Sequence, residues 1–131
     1  QALHRSEIVL GNLSATRDFT FVEDTARAFL CAAEADEAVG GVFNAGSGFE
    51  IAVHDLVRII LQQVGRDLPV LVDKERIRPE KSEVERLISD SSKAAAVLGW
   101  RPSVSLEEGV QRTIDWMARH KHLYRWSHYV V

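Results

Sequence analysis

The sequence contains one cysteine, no long apolar run and no excess of basic residues. Cys31 cannot form an intramolecular disulfide, and its apolar helical surroundings predict a buried small side chain. No run approaches the roughly 20 apolar residues that a membrane-spanning helix needs, and no signal segment opens the chain. The formal net charge of -3 argues against a nucleic-acid surface. We therefore expect no nucleic-acid or membrane partner and a cytoplasmic location.

The rest of the composition is that of an ordinary globular domain. The 131 residues are 46% hydrophobic and 27% charged, and this length is enough for one domain with its own core. No repeat, low-complexity tract or internal linker divides the chain. Residues 1–131 are therefore predicted to form a single domain.

Short apolar runs alternate with amphipathic patterns. The runs predict strands over 8–10, 42–44, 70–72 and 87–88, with extended chain around 19–22. The amphipathic patterns predict four helices. These run from an N-cap at Asp24 to about Ala35, over 53–64 with Gly65 closing the helix, from residue 90 or 91 to Leu98, and onward from a capping box at Ser105 and Glu108. The alternation predicts an α/β fold, a small mixed lobe with short strands and about four helices.

The glycine cluster at 44–48, NAGSG, invites comparison with a nucleotide-binding loop. It lacks the GxGxxG spacing and the GxxxxGK[ST] lysine. We therefore interpret it as a tight turn in which glycines supply positive φ.

An ordered string in the second half of the chain carries a family signal. It comprises RPEKSEV at 78–84, DSSKA at 90–94, LGWRP at 98–102 and LEEG at 106–109. With RDF at 17–19, it resembles the C-terminal end of sugar-nucleotide epimerases and dehydratases of the extended short-chain dehydrogenase/reductase family. The form at 78–83 is closer to the 4,6-dehydratases than to the galactose 4-epimerases.

The resemblance implies a substrate-binding lobe from a larger Rossmann-type enzyme. Its ligand would be a nucleotide-diphosphate sugar, and its protein partner would be the Rossmann half that precedes it in the family. NAD would serve the parent enzyme and would not bind this chain alone. A homo-oligomer is also expected.

Three residues are assigned to the substrate by this resemblance. Arg17 and Arg78 would clamp the pyrophosphate, which the planar guanidinium suits, and Pro79 would hold Arg78 in extended backbone. Glu83 would accept hydrogen bonds from ribose hydroxyls. The plainer alternative is that all three are solvated surface charges.

Several family motifs are missing from the sequence. It has neither the NAD-binding glycine fingerprint nor the catalytic Tyr-x-x-x-Lys pair, and Lys93 is interpreted as a surface helix residue. The chain starts at Gln1 without an initiator methionine, so we expect a C-terminal portion with no catalytic residue and no turnover alone. The histidines at 120, 122 and 128 have no cysteine nearby, and no metal site is predicted. A stand-alone, non-catalytic α/β binding module is the alternative.

Overall fold

The computed structural model describes residues 6–77 and 84–123. Short strands and helices are interspersed along the described chain. The five strands are β1 (Ile8–Leu10), β2 (Thr16–Asp18), β3 (Glu50–Ala52), β4 (Val70–Val72) and β5 (Arg86–Leu87). The four α-helices are α1 (Val22–Glu34), α2 (Val53–Val64), α3 (Ser92–Val97) and α4 (Leu106–Arg119). The prediction of a small mixed α/β fold is confirmed.

The strands form two separate small sheets. β1 pairs with β4 in parallel, with Ile8 opposite Val70. β2 is the centre of the other sheet, antiparallel to β3 and parallel to β5. Arg17 therefore lies between Ile51 on one side and Leu87 on the other. This central position fixes where the Arg17 backbone stands relative to the chain that follows residue 83.

The second helix and its end agree with the predicted limits. Its apolar residues recur at helical spacing and include the buried Val57. Gly65 has φ 68°, and its N–H donates to the carbonyl of Gln62 at 3.2 Å. Glycine adopts this left-handed backbone without the steric cost of a Cβ.

The fourth helix begins with the predicted cap. The Oγ of Ser105 accepts a 3.2 Å hydrogen bond from the N–H of Glu108, while the Glu108 carboxylate accepts from Arg112. The Gln63 side chain donates to the carbonyl of Glu107 at 2.9 Å, which ties α2 to the start of α4.

Three predicted features of the first half are wrong. Residues 42–44 form no ladder with any strand in the described ranges; the strand beyond the glycine cluster is β3. Asp24 is not the N-cap of α1, because Phe21 holds that position and Asp24 lies inside the first turn, 1% exposed. Val22, predicted to be extended, is the first helical residue, and the strand ahead of it is β2. In each case the tertiary surroundings outweighed a local pattern.

The interior is small and is built around an indole ring. Trp100 is fully buried, and the other buried apolar residues are Ile8, Ala15, Val57 and Ala94. The apolar side chains of α4, Leu106, Val110, Ile114 and Met117, border an open groove of about 380 Å³ that α2 and the residues before α1 also line. Arg17 does not line this groove.

Candidate functional site

Arg17 is held in place at the centre of the three-stranded sheet. Its side chain is half-buried, and Nη1 donates to the carbonyl of Thr16 at 2.7 Å and to that of Glu85 at 3.4 Å. The Thr16 N–H also donates to the Glu85 carbonyl, at 2.8 Å. The guanidinium is thus attached both to its own strand and to the chain leading into β5.

Arg78 and Glu83 lie outside the described residues. The described chain resumes at Val84, and Glu85 is bonded to Arg17 and to its strand. In the sequence, Glu83 precedes Glu85, the residue that contacts Arg17, by two positions. Of the three predicted ligand residues, only Arg17 has an observed environment.

The neighbouring Asp18 binds the glycine turn to the sheet. Its carboxylate accepts from Ser47 N–H at 2.8 Å, Ser47 Oγ at 2.5 Å, Gly48 N–H at 2.9 Å and Ser89 N–H at 3.1 Å. Partial burial acts to raise the pKa of Asp18, but these hydrogen bonds outweigh it and lower the pKa. We call Asp18, Ser47, Gly48 and Ser89 the Asp18 cluster.

The backbone N–H groups of residues 46–48 in the glycine turn are used within the protein. Besides the two that reach Asp18, the Gly46 N–H donates to Ser91 Oγ at 2.9 Å, and that hydroxyl donates back to the Gly46 carbonyl at 3.0 Å. A phosphate would have to displace these partners. The turn therefore does not fit the pyrophosphate of NAD, which agrees with its architectural interpretation.

A second buried carboxylate joins α1 to the loop before α4. Asp24 accepts from Ser103 N–H, from Ser103 Oγ at 2.8 Å and from Val104 N–H at 3.0 Å, and it pairs with Arg27. Burial acts to raise its pKa, but the bonds from Arg27, Val104 and Ser103 lower it to about 2. Asp24, Arg27, Ser103 and Val104 form the Asp24 cluster.

Lys93 has an architectural contact. It is exposed, its Nζ donates to the Val42 carbonyl at 2.9 Å, and the ammonium lies 4.6 Å from the centre of the Phe43 ring. These contacts tie α3 to the chain that precedes the glycine turn.

The described residues offer positioning groups and one candidate anion ligand. The carboxylates of Asp18 and Asp24 are saturated by hydrogen bonds, so neither is arranged to exchange protons with a substrate. Within residues 6–77 and 84–123, no three potential ligands lie together as a metal site would require. No helix in the same ranges is both long and apolar enough to cross a bilayer.

The roles of Asp18 and Asp24 were missed at the level of sequence. Asp18 belongs to the quoted RDF string, directly after Arg17. Apart from Arg27, three residues after Asp24, their partners lie 29 to 80 positions away, so no local spacing could reveal them.

Comparison with known proteins places the chain in a family. The sequence model for GDP-mannose 4,6 dehydratase matches residues 1–113. A putative UDP-glucose 4-epimerase from Methanocaldococcus jannaschii is 36% identical over 114 residues, covering 87% of this chain and 35% of that protein. The chain spans about a third of the length of the curated relatives that it matches.

Solved structures extend the likeness to the fold. An epimerase from Methanothermobacter thermautotrophicus superposes with a TM-score of 0.86 at 33% identity, covering 96% of this chain and 37% of that one. The UDP-glucuronic acid 4-epimerase of Bacillus cereus, solved with UDP-glucuronic acid and NAD, gives a TM-score of 0.73 at 26% identity, covering 89% and 35%. The chain thus belongs to the GDP-mannose 4,6-dehydratase family and corresponds to the C-terminal portion of an extended, Rossmann-type sugar-nucleotide epimerase or dehydratase.

Proposed function

We propose that this chain is the nucleotide-sugar-binding part of an NAD-dependent sugar-nucleotide 4,6-dehydratase or epimerase. It would hold the pyrophosphate of the substrate while the rest of the enzyme carries out hydride and proton transfer. The observation that carries this proposal is the anchoring of Arg17 on β2 against Glu85, beside the end of the stretch that contains Arg78 and Glu83.

The proposed ligand contacts follow from charge and geometry. A guanidinium can donate two parallel hydrogen bonds to phosphate oxygens. Arg17 already has two carbonyl acceptors, which restrict its rotamers, so less conformational entropy is lost on binding. A second arginine, Arg78, would approach from the other loop, and Glu83 would accept from the ribose hydroxyls.

The type of reaction, dehydration or epimerisation, is also part of the proposal. The matching family model describes a dehydratase, whereas similar curated proteins include UDP-glucose 4-epimerases. The 78–83 string favours the dehydratase branch. Neither reaction is assigned to residues of this chain, and NAD is proposed to serve the rest of the enzyme.

A stand-alone binding module is the second candidate. It is favoured by one observation, namely that the Asp18 and Asp24 clusters link distant parts of the chain and could stabilise the lobe without the rest of an enzyme. Such a module would bind its ligand with useful affinity alone. The separated part of a divided site would bind weakly, because half of the contacts are missing.

The first test is calorimetric titration of this chain with UDP-, dTDP- and GDP-sugars, with NAD as a control. Weak, saturable binding of one nucleotide sugar and none of NAD would support the substrate-binding part and identify the base. Tight binding would favour the stand-alone module. Binding of NAD would contradict the proposal that NAD binds the rest of the enzyme. It would also contradict our interpretation of the glycine turn.

Substitutions in the intact enzyme test the clamp. Arg17→Ala and Arg78→Ala should each lower kcat/KM by about 10- to 100-fold, the value of a charge-assisted hydrogen bond. Arg58→Ala is the matched control, because Arg58 is exposed on α2 and pairs with Asp55. Unchanged KM and kcat in Arg78→Ala would eliminate the two-arginine site.

A further inference from the structure

The carboxylate of Glu50 joins all three strands of the sheet that carries Arg17. Glu50 lies on β3, and its two oxygens accept hydrogen bonds of 2.7 and 2.8 Å from Nε of Arg86 on β5. Nη2 of the same arginine lies 2.6 Å from Oε1, and Oε2 also accepts from Thr16 Oγ1 on β2 at 2.7 Å. We call Thr16, Glu50 and Arg86 the Glu50 cluster. It crosses the central strand and links the two edge strands, which are not neighbours in the sheet.

The strand β5 has no buried apolar face that would fix its register. It contains only Arg86 and Leu87, which pair in parallel with Thr16 and Arg17, and Leu87 is 58% exposed. Register is weakly specified in a short strand that buries neither face. A shift by one residue would carry Arg86 to the other face of the sheet, away from Glu50. The Glu50 cluster is therefore a contact that forms in one register.

The register of β5 decides what the Arg17 side chain contacts. The Glu85 carbonyl accepts from the Thr16 N–H at 2.8 Å and from Arg17 Nη1 at 3.4 Å. Because Glu85 directly precedes Arg86, a side-chain bond at Arg86 also fixes the position of this carbonyl. Side chains alternate between the faces of a strand, so Arg17 lies on the opposite face from Thr16. Glu50 thus acts on Arg17 through the β5 backbone.

The pair of Glu50 and Arg86 differs from an ordinary surface ion pair. Exposed ion pairs usually contribute little to stability, but bidentate arginine–carboxylate pairs that belong to a network are an exception. Here both carboxylate oxygens are engaged, and the Glu50 side chain is 25% exposed, although that of Arg86 is 69% exposed. The hydrogen bonds from Arg86 and from Thr16 lower the pKa of Glu50. The carboxylate is therefore charged at neutral pH.

We propose that Glu50 is a positioning residue for Arg17: through Arg86 it holds β5 in the register that keeps the Glu85 carbonyl against the Arg17 guanidinium. This role rests on the proposed contact of Arg17 with the substrate pyrophosphate. A guanidinium that is already held by carbonyl acceptors loses less conformational entropy when it binds an anion. Glu50 itself does not contact the ligand.

Positioning and charge predict effects of opposite sign on anion binding. Removal of a carboxylate near an anion site strengthens binding, because it removes a repulsion, whereas loss of a positioning contact weakens it. We expect Glu50→Ala to lower the affinity of the 131-residue chain for inorganic pyrophosphate by at least about threefold. Glu23→Ala is the charge-matched control, since Glu23 forms an exposed ion pair with Arg112 outside the sheet. Unchanged or stronger binding by Glu50→Ala would overturn the proposal.

Two further proteins separate positioning from general stability. Exchange of the pair, Glu50→Arg with Arg86→Glu, restores opposite charges across β2 and should recover most of the pyrophosphate affinity. Ser105→Ala removes the α4 cap without touching the sheet, and it should lower the Tm while leaving the affinity unchanged. An equal loss of affinity in Ser105→Ala and Glu50→Ala would assign the effect to stability and would overturn the proposal.

Hydrogen exchange tests the role of Glu50 without a ligand. In Glu50→Ala, exchange of the Thr16 amide and of the Arg17 Nε–H should each be at least about threefold faster than in the wild type. Unchanged α2 amides report that the lobe is folded, and Glu50→Gln, which keeps an acceptor, is the milder variant if Glu50→Ala does not fold. Unchanged exchange at both groups in a folded variant would overturn the proposal.

Failure of the ligand site and failure of the positioning role can be distinguished. Absence of pyrophosphate binding in the wild-type chain would count against the arginine clamp. The two exchange measurements would still decide whether Glu50 holds Arg17 in place.

Discussion

The indole Nε1 of Trp100 donates a 2.9 Å hydrogen bond to the main-chain carbonyl of Asp24, and both residues are buried. The carboxylate of the same aspartate binds Ser103 and Val104, just beyond Trp100 in the chain. One residue of α1 thus holds the 100–104 loop by both its backbone and its side chain. The quoted LGWRP string lies across this contact, which gives the tryptophan of that string a physical role.

Trp100→Phe should destabilise the protein by about 1–3 kcal/mol. The change removes a buried donor and part of the ring volume, and it leaves one lone pair of the Asp24 carbonyl without its partner. Urea denaturation followed by circular dichroism measures the effect. Trp116→Phe is the control, because Trp116 is 44% exposed, and its cost should stay below about 1 kcal/mol. Equal costs would show that the buried bond contributes nothing specific.

Stability should fall with acid because of Asp24. Its pKa in the folded protein is about 2, below the ordinary value of 3.8, so the stabilisation is fully present above about pH 5 and is lost as the pH falls towards 2. The expected loss is on the order of 2 kcal/mol. Asp24→Asn should be less stable at pH 7 and should show a shallower dependence between pH 5 and 2.

Denaturation midpoints across this pH range provide the measurement. Asp67→Asn, at an exposed aspartate, is the control and should follow the wild-type curve. Parallel curves for wild type and Asp24→Asn would contradict the assignment of the acid dependence to Asp24.

Gly46→Ala should disturb the Asp18 cluster. A Cβ at residue 46 would lie 2.3 Å from Cβ of Ser89 and 2.8 Å from Oδ2 of Asp18, distances that force the glycine turn to move. We expect a loss of about 1–3 kcal/mol in the free energy of unfolding. Gly109→Ala is the matched control, since its nearest contact is the Phe21 ring at 3.1 Å.

The alanine at 109 should be neutral or stabilising, because the ring can shift and alanine favours the helix by up to about 1 kcal/mol. Thermal unfolding of both variants decides the comparison. A Gly46→Ala protein as stable as wild type would mean that the turn is not fixed by close packing.

Ser105→Ala should lower the free energy of unfolding by about 1 kcal/mol through loss of the α4 cap. Ser105→Asp keeps an acceptor at this position and should recover most of the loss. Chemical denaturation of the three proteins tests this. Equal losses in both variants would assign the effect to something other than the cap.

Elements whose stability is mainly local were predictable. α2 and its closing Gly65 follow from helical periodicity and from the freedom of glycine at positive φ, and the Ser105 cap follows from spacing within one helical turn. The predicted strand at 42–44 is not formed, because a strand needs a second strand to pair with and the described chain provides none. Composition can mark a segment as suited to pairing, but it does not supply the opposite edge.

The candidate site was likewise predictable only in part from the sequence. The ordered string at 78–109 was enough to predict the family, and the sequence alone singled out Arg17, Arg78 and Glu83 as candidate ligands. Only the tertiary structure joined Arg17 to Glu85, and only it turned Asp18 and Asp24 into the centres of two clusters. The sequence by itself determined the local helices and the family; packing decided which carboxylates became buried. The physical reason is that a carboxylate enters the interior only where donors from distant segments converge on it, and that convergence exists only in the folded chain.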